Sequence, residues 1–419
     1  MSRDLRYRLP AMEAVGYQKG VLHQSLSAIF NECIGLPFNE VKKTLGKRVE
    51  KVVMDLTGIL VKNDLENARY INAWVMMQLF DKNSSTIPDH LGVIFPDKDR
   101  KEFIKKHGDG SVGYLNLDKS YFSGVFSEIP FEVFLTQGLF NGKLSGGEVA
   151  SIYIHELGHC ASFLEHLGTI AHTNRVLGWL TQELLNPNNT VEYKYRIMDD
   201  SGLDLDPDTR EALVKQGDKN TIPVTLYREY LGKQRKLLGK GSYDNTTFEM
   251  MADQFVSRHG GGKDLVSALG KMTWRWFSDS GPAIPFIMAQ VFTLFRLIAT
   301  TIMLPGIGLL VVAAIVMLTM GEQRYDKMEA RIRRVYQDMV NGLKQTDLDK
   351  DTVEKMLSEL DQVKLVMDQW QDRRSAIEWL CTTLVPAWRR RHTQLEFQQD
   401  LERLANNGLF ISAQRFSTL

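Results

Sequence analysis

Two histidines stand four residues apart, with a glutamate directly after the first, in "YIHELGHC" (153–160). On a helix this spacing puts His155 and His159 on one face, where both imidazoles can point at one metal ion. Zinc takes such nitrogen ligands at about 2.0–2.1 Å in a tetrahedral arrangement. Glu156 is turned about 100° from His155, so it flanks the ion and does not bind it. There it can take a proton from a zinc-activated water that attacks a carbonyl carbon, and later pass that proton to the leaving amine. On an exposed helix the same three residues would be ordinary surface groups. Their surroundings, "SIYIHELGHCASFL" (151–164), are mostly apolar. Buried histidines and a buried carboxylate are costly without a partner, and a zinc ion would be one.

Such a site needs a third ligand. The pattern H-E-x-x-H-x-x-G-x-x-H would place glycine at 162 and histidine at 165, but the chain has Ser162 and Glu165, which excludes that class. His166 and His172 read as polar residues of a helix surface or loop. Glu183 offers a carboxylate at a spacing that fits no familiar zinc class. Glu249 is the best candidate, in "FEMMADQFVSR" (248–258). Glu249 and Asp253 are four apart on one helical face, among Phe248, Met250, Met251, Phe255 and Val256. Glu249 can ligate zinc, and Asp253 can accept a hydrogen bond from the other ring nitrogen of a ligand histidine. Ala252 between them leaves room for a second helix to approach closely.

The elements that must hold these residues are legible in outline. Residues 11–82 carry helical periodicity, as in "FNEVKKTLGKRVEKVVMDLTGILV" (38–61). "DKNSSTIPDH" (81–90) is a polar break. Short strands are expected in "LGVIFPD" (91–97), "VGYLNL" (112–117) and "PFEVFLTQGLF" (130–140). Ser145, three residues before Glu148, has the spacing of a capping box and starts a helix that runs through the paired histidines to about Leu167. Further helices are expected around 209–216 and 224–238, and from near Thr247 to the glycines Gly260 to Gly262. Charged amphipathic helices are expected over 322–345 and 350–406.

The 419 residues suffice for two or three units, and 51 basic residues balance 51 acidic ones. That balance argues against a dedicated nucleic-acid binder. Cys33, Cys160 and Cys381 are odd in number and widely spaced, so they form neither a disulfide framework nor a cysteine zinc cluster. A reducing compartment is the simpler reading, and the N-terminal residues show no apolar segment of a secretory signal. From Ala283 to Met320 the single charge is Arg296. A run of this length predicts membrane contact, as a hairpin or re-entrant segment turning at "LPGIG" (304–308), with basic residues at both ends placing the rest on the cytoplasmic side.

With these motifs in hand, the chain resembles the membrane-associated gluzincin zinc metallopeptidases, the group of the HtpX-like heat-shock proteases and the CAAX prenyl proteases. "VFLTQGLFNGKLSGGEVASIYIHELGH" (133–159) has the family layout, with Gly138, Leu139 and Glu148 in place. Glu249 to Asp253 match the family's E-x-x-A-D. "YDKMEARI" (325–332) matches a later motif at Glu329, Arg331 and Ile332, with Tyr325 where the family has a histidine and with the prolines missing. The likeness covers about 85–340 with long gaps. It implies zinc bound by His155, His159 and Glu249, catalysis by Glu156, and Arg331 and Tyr325 near the substrate, where Tyr325 would donate to an oxyanion. HtpX-like proteins also carry hydrophobic spans before the catalytic helix, and residues 1–130 here contain none.

The expectation is an α+β, mostly helical protein. It would have a helical region at 1–84, a zincin-type core at 85–282, a hydrophobic membrane segment at 283–320 and a helical region at 321–419. The expected activity is zinc-dependent peptide-bond hydrolysis at a membrane, with a peptide or protein substrate, lipid contact and no nucleic acid. The alternative is a non-catalytic membrane-associated scaffold on the same fold. The amphipathic ends would suit that role, either as a homo-oligomer or with a helical protein partner. "WRRRH" (388–392) reads as a solvated helix turn or as a basic contact to lipid headgroups or an acidic partner.

Overall fold

The computed structural model describes residues 15–76, 113–215, 217–238, 245–278, 328–344 and 348–371. These are mostly helical with a small sheet, an α+β arrangement. They fall into two compact units. The described parts of 28–146 and 153–255 belong to the first, and those of 17–27, 147–152 and 256–371 to the second.

The first unit is built around a sheet. Helices α1 (Val21–Cys33) and α2 (Phe38–Thr57) lead into strand β1 (Leu60–Glu66). In α2, Val41, Leu45, Val49, Val53 and Thr57 recur every fourth residue and are buried as one stripe. β2 (Ala73–Met76) follows, then the hairpin of β3 (Gly113–Asn116) and β4 (Tyr121–Gly124), then β5 (Pro130–Thr136). The main sheet has the order β1-β5-β2, with β1 parallel and β2 antiparallel to β5. Within β5, Phe131, Val133 and Leu135 are buried on one face, while Glu132 and Phe134 point to the other. Phe134 stacks on Trp74 of β2 at 5.3 Å. After β5 the chain turns at Gly138, where an added Cβ would lie 2.0 Å from the Tyr70 carbonyl oxygen, so only glycine fits.

Helix α3 (Gly146–Leu185) then runs for 40 residues. It starts where the Ser145–Glu148 spacing places it but continues well past Leu167. Its C-terminal half finds a core of its own: Val176, Leu180 and Leu184 pack with α4 (Val191–Asp200), α5 (Pro207–Lys215) and α6 (Thr221–Leu238) through Ile197, Leu213, Ile222 and Leu226. Burial of that stripe outweighs the two helical glycines, each worth about 1 kcal/mol against the helix. Thr190, Asp206 and Asp218 cap the three helices, each side chain accepting from a backbone N–H three residues on. The helical periodicity over 11–82 fails after Thr57, where β1 and β2 form by pairing with β5. Helix α7 (Asn245–Arg258) closes the unit as far as Phe255.

The second unit packs α8 (Gly262–Ser278), α9 (Met328–Gly342) and α10 (Lys350–Gln371) through Leu265, Leu269, Ile332, Val335, Met339, Met356 and Val363. Glu148, 3% exposed, accepts from Ser267 and pairs with Lys271 at 2.7 Å. Arg258 pairs with Asp338 at 2.7 Å, both buried. Burial pushes the Asp338 carboxyl up, and the charge of Arg258 and bonds from Ser257 and Arg258 draw it back.

The expected membrane protein is corrected here. No helix among the described residues is long and apolar enough to cross a membrane. The longest, α3, has Glu148, Glu156, Glu165, Arg175 and Glu183 spread along it, with histidines between them. The apolar run 283–320 on which the expectation rested lies outside the described residues, as do the polar break 81–90, the strand expected at 91–97 and the basic cluster 388–392. Membrane association, lipid contact and a catalytic part facing the cytoplasm from a membrane are therefore not carried forward.

Gly138→Ala is expected to cost about 1–3 kcal/mol by overpacking. Gly178→Ala, on the exposed side of α3 with nothing within 4 Å, should be neutral or stabilising by up to about 1 kcal/mol. Denaturant unfolding of the pair measures both. In the second unit, desolvation pushes buried His259 down to about 3 from 6.5. The unfolded chain then binds a proton that the folded chain refuses. Stability should therefore be lost as pH falls from about 6.5 towards 3, with a slope approaching about one proton. His259→Gln should flatten that slope in unfolding curves taken between pH 7 and 4.

Candidate metal centre

α3 and α7 come within backbone contact in the first unit. A Cβ on Gly158 would lie 2.6 Å from the Cα and 2.9 Å from the carbonyl oxygen of Ala252. Glycine on one helix and alanine on the other thus set the separation. Each helix carries chemistry at the same offsets from this point: His155 and His159 lie three before and one after Gly158, and Glu249 and Asp253 lie three before and one after Ala252.

The Nε2 of His155 lies 3.4 Å from Glu249 Oε2, and the Nε2 of His159 lies 3.5 Å from Glu249 Oε1. The two imidazole rings are 4.7 Å apart and nearly perpendicular. On its other side, His155 Nδ1 is 3.0 Å from Asp253 Oδ1, and Asp253 is 1% exposed. A carboxylate at Nδ1 favours a proton there, and His155 Nε2 faces Glu249. His155, Glu156 and Glu249 are buried and His159 is half-buried.

These distances suit a tetrahedral ion. With bonds of about 2.0–2.1 Å, two ligand atoms on a tetrahedron are about 3.3–3.4 Å apart. Glu249 comes near that separation from each histidine through a different oxygen, Oε2 towards His155 and Oε1 towards His159. A second carboxylate is also near: ligand atoms of His155, Glu156 and His159 all lie within 4.8 Å of one another. Two carboxylates, Glu156 and Glu249, thus lie within reach of both histidines.

Burial raises the Glu156 carboxyl above its ordinary range. The histidines pull it down, Glu249 pushes it up, and the backbone N–H of Val75 on β2 favours its ionised form. Burial also pushes the Cys160 thiol well up.

Other contacts engage two of the remaining sequence candidates. The His166 ring meets Phe248 edge-on at 5.8 Å. His172 is half-buried further along α3, and Glu183 accepts from the Asn189 side chain at 2.8 Å. Arg331 is buried on α9 in the second unit. Tyr325 lies outside the described residues. Two contributors escaped the sequence reading. The Val75 amide gives no sequence signal. Tyr153 does, since a tyrosine inside an apolar helix needs a partner for its hydroxyl.

No protein-family model, curated protein or solved structure matches the chain.

Asp253→Ala is expected to lower zinc affinity about 10–100-fold by releasing the His155 ring, with far-UV circular dichroism unchanged. Competition against a chromophoric chelator measures it. An affinity equal to that of the parent would remove Asp253 from the site.

Proposed function

We propose that the protein is a zinc-dependent metalloendopeptidase of zincin type, acting on peptide or protein substrates. The observation that carries this reading is the pair of Glu249 contacts, 3.4 and 3.5 Å from the two histidine Nε2 atoms, with Asp253 behind His155. His155, His159 and Glu249 would hold the ion. A zinc ion bound there polarises a scissile carbonyl and acidifies a water.

The chain's own groups do the rest. Asp253 fixes the tautomer and orientation of His155. Glu156, with its carboxylate within 4.8 Å of ligand atoms of both histidines, would accept a proton from the attacking water. It then delivers that proton to the leaving amine nitrogen. Its raised affinity for a proton, caused by burial, suits a group that must first take one and then give it up. The resemblance to gluzincin peptidases in the three motifs supports the same roles. It would add Arg331 and Tyr325 on the substrate side.

Metal analysis of the purified chain should give near one zinc per chain, lost in His159→Ala. Glu156→Gln should keep the zinc and lower the cleavage of unstructured casein by about 10²–10⁴-fold. A parent protein without zinc would sink the reading. A Glu156→Gln variant that cleaves as fast as the parent would sink the assigned base.

A further inference from the structure

Between Tyr153 and Leu164 every residue of α3 is buried except His159, which is half-buried. A helix buried all round has no polar stripe to select its rotation about its own axis. Directional bonds must do so, because both imidazoles and Glu156 have to point correctly at once. One such bond is that of His155 to Asp253, on the side facing α7. The second lies on the side facing the sheet. The Tyr153 hydroxyl donates to Asn63 Oδ1 of β1 at 2.7 Å.

Tyr153 is fully buried, with its ring edge-on to Phe30 at 5.6 Å. Asn63 is itself fixed. Its backbone N–H donates to Glu50 Oε1 at 2.9 Å, and it stands opposite Val133 in the sheet register. At about 100° per residue, Tyr153 and Glu156 project about 60° apart, while His155 projects about 160° from Tyr153. The bond to Asn63 therefore fixes the side of α3 from which Glu156 emerges. On that side the backbone N–H of Val75, on the edge strand β2, meets the Glu156 carboxylate.

We infer that the Tyr153 hydroxyl, bonded to Asn63, is a positioning group that sets the rotation of α3 and so holds Glu156 beside the histidine and Glu249 set. The inference rests on the peptidase reading for its catalytic consequence. Its geometric part stands separately. The sheet supplies the template for the base, and α7 supplies the template for the ligands.

The test compares the full-length parent with Tyr153→Phe, Asn63→Ala and the double variant. Three quantities are read: zinc affinity by chelator competition, kcat and KM on unstructured casein, and hydrogen exchange of the Val75 amide. Expected results are zinc affinity within threefold of the parent in every variant, and kcat at least tenfold lower with KM within twofold. The double variant should be no worse than either single one, because both remove the same bond. The Val75 amide should exchange at least tenfold faster in each. An unchanged kcat in either single variant overturns the inference. So does a zinc affinity that falls in parallel with kcat, which would mark a general loss of packing. If the parent binds no zinc or cleaves nothing, the peptidase reading fails by itself. The Val75 amide then decides the positioning role: faster exchange in Tyr153→Phe supports it, and unchanged exchange overturns it.

Discussion

Packed helices ordinarily keep their axes about 8–10 Å apart, at a distance set by the side chains between them. Where α3 meets α7 there is almost nothing between them, only the hydrogen of Gly158 and the methyl of Ala252. Everything at the centre follows from that. Short side chains, two carboxylates and two imidazoles, can meet because the backbones do. The contacts repeat at the same offsets on both helices, so a shift of one helix along the other by a single residue would break all of them together.

The same closeness creates an electrostatic problem. Glu156, Glu249 and Asp253 are all at most 8% exposed. Three carboxylates and two imidazoles crowd ionisable groups into a region poor in water, and burial of charge is expensive. A divalent cation, as proposed above, would offset two charges and take up ligand lone pairs at the same time. The upward push on the Glu156 proton affinity from burial and from Glu249 expresses the same crowding.

Much of this site was legible in the sequence because it is written in helical spacing. The i, i+4 pairs at His155/His159 and Glu249/Asp253, and the small residues Gly158 and Ala252, need only the 3.6-residue period to be placed on faces. The end of α3 was not legible, because the core formed by Val176, Leu180 and Leu184 with Ile197 and Leu213 depends on residues far along the chain. β1 escaped for a related reason: "LVKNDLE" (60–66) has three charges and an asparagine on a short run, and it is a strand only because β5 lies beside it. The apolar run 283–320 dominated the reading of the chain through composition alone, whereas the described helices carry charges throughout. The contact of Val75 with Glu156 is made by backbone, which no side-chain pattern reports.

α3 is one unbroken rod. From His159 to Leu185 it extends for about 40 Å at 1.5 Å per residue. The near end is held against α7 where Gly158 meets Ala252, and the far end is embedded in the bundle of α4, α5 and α6. A tilt of about 5° around the grip displaces the far end by about 3 Å, given that length. A small rotation of α3 at the histidines would therefore be magnified at the bundle of α4, α5 and α6.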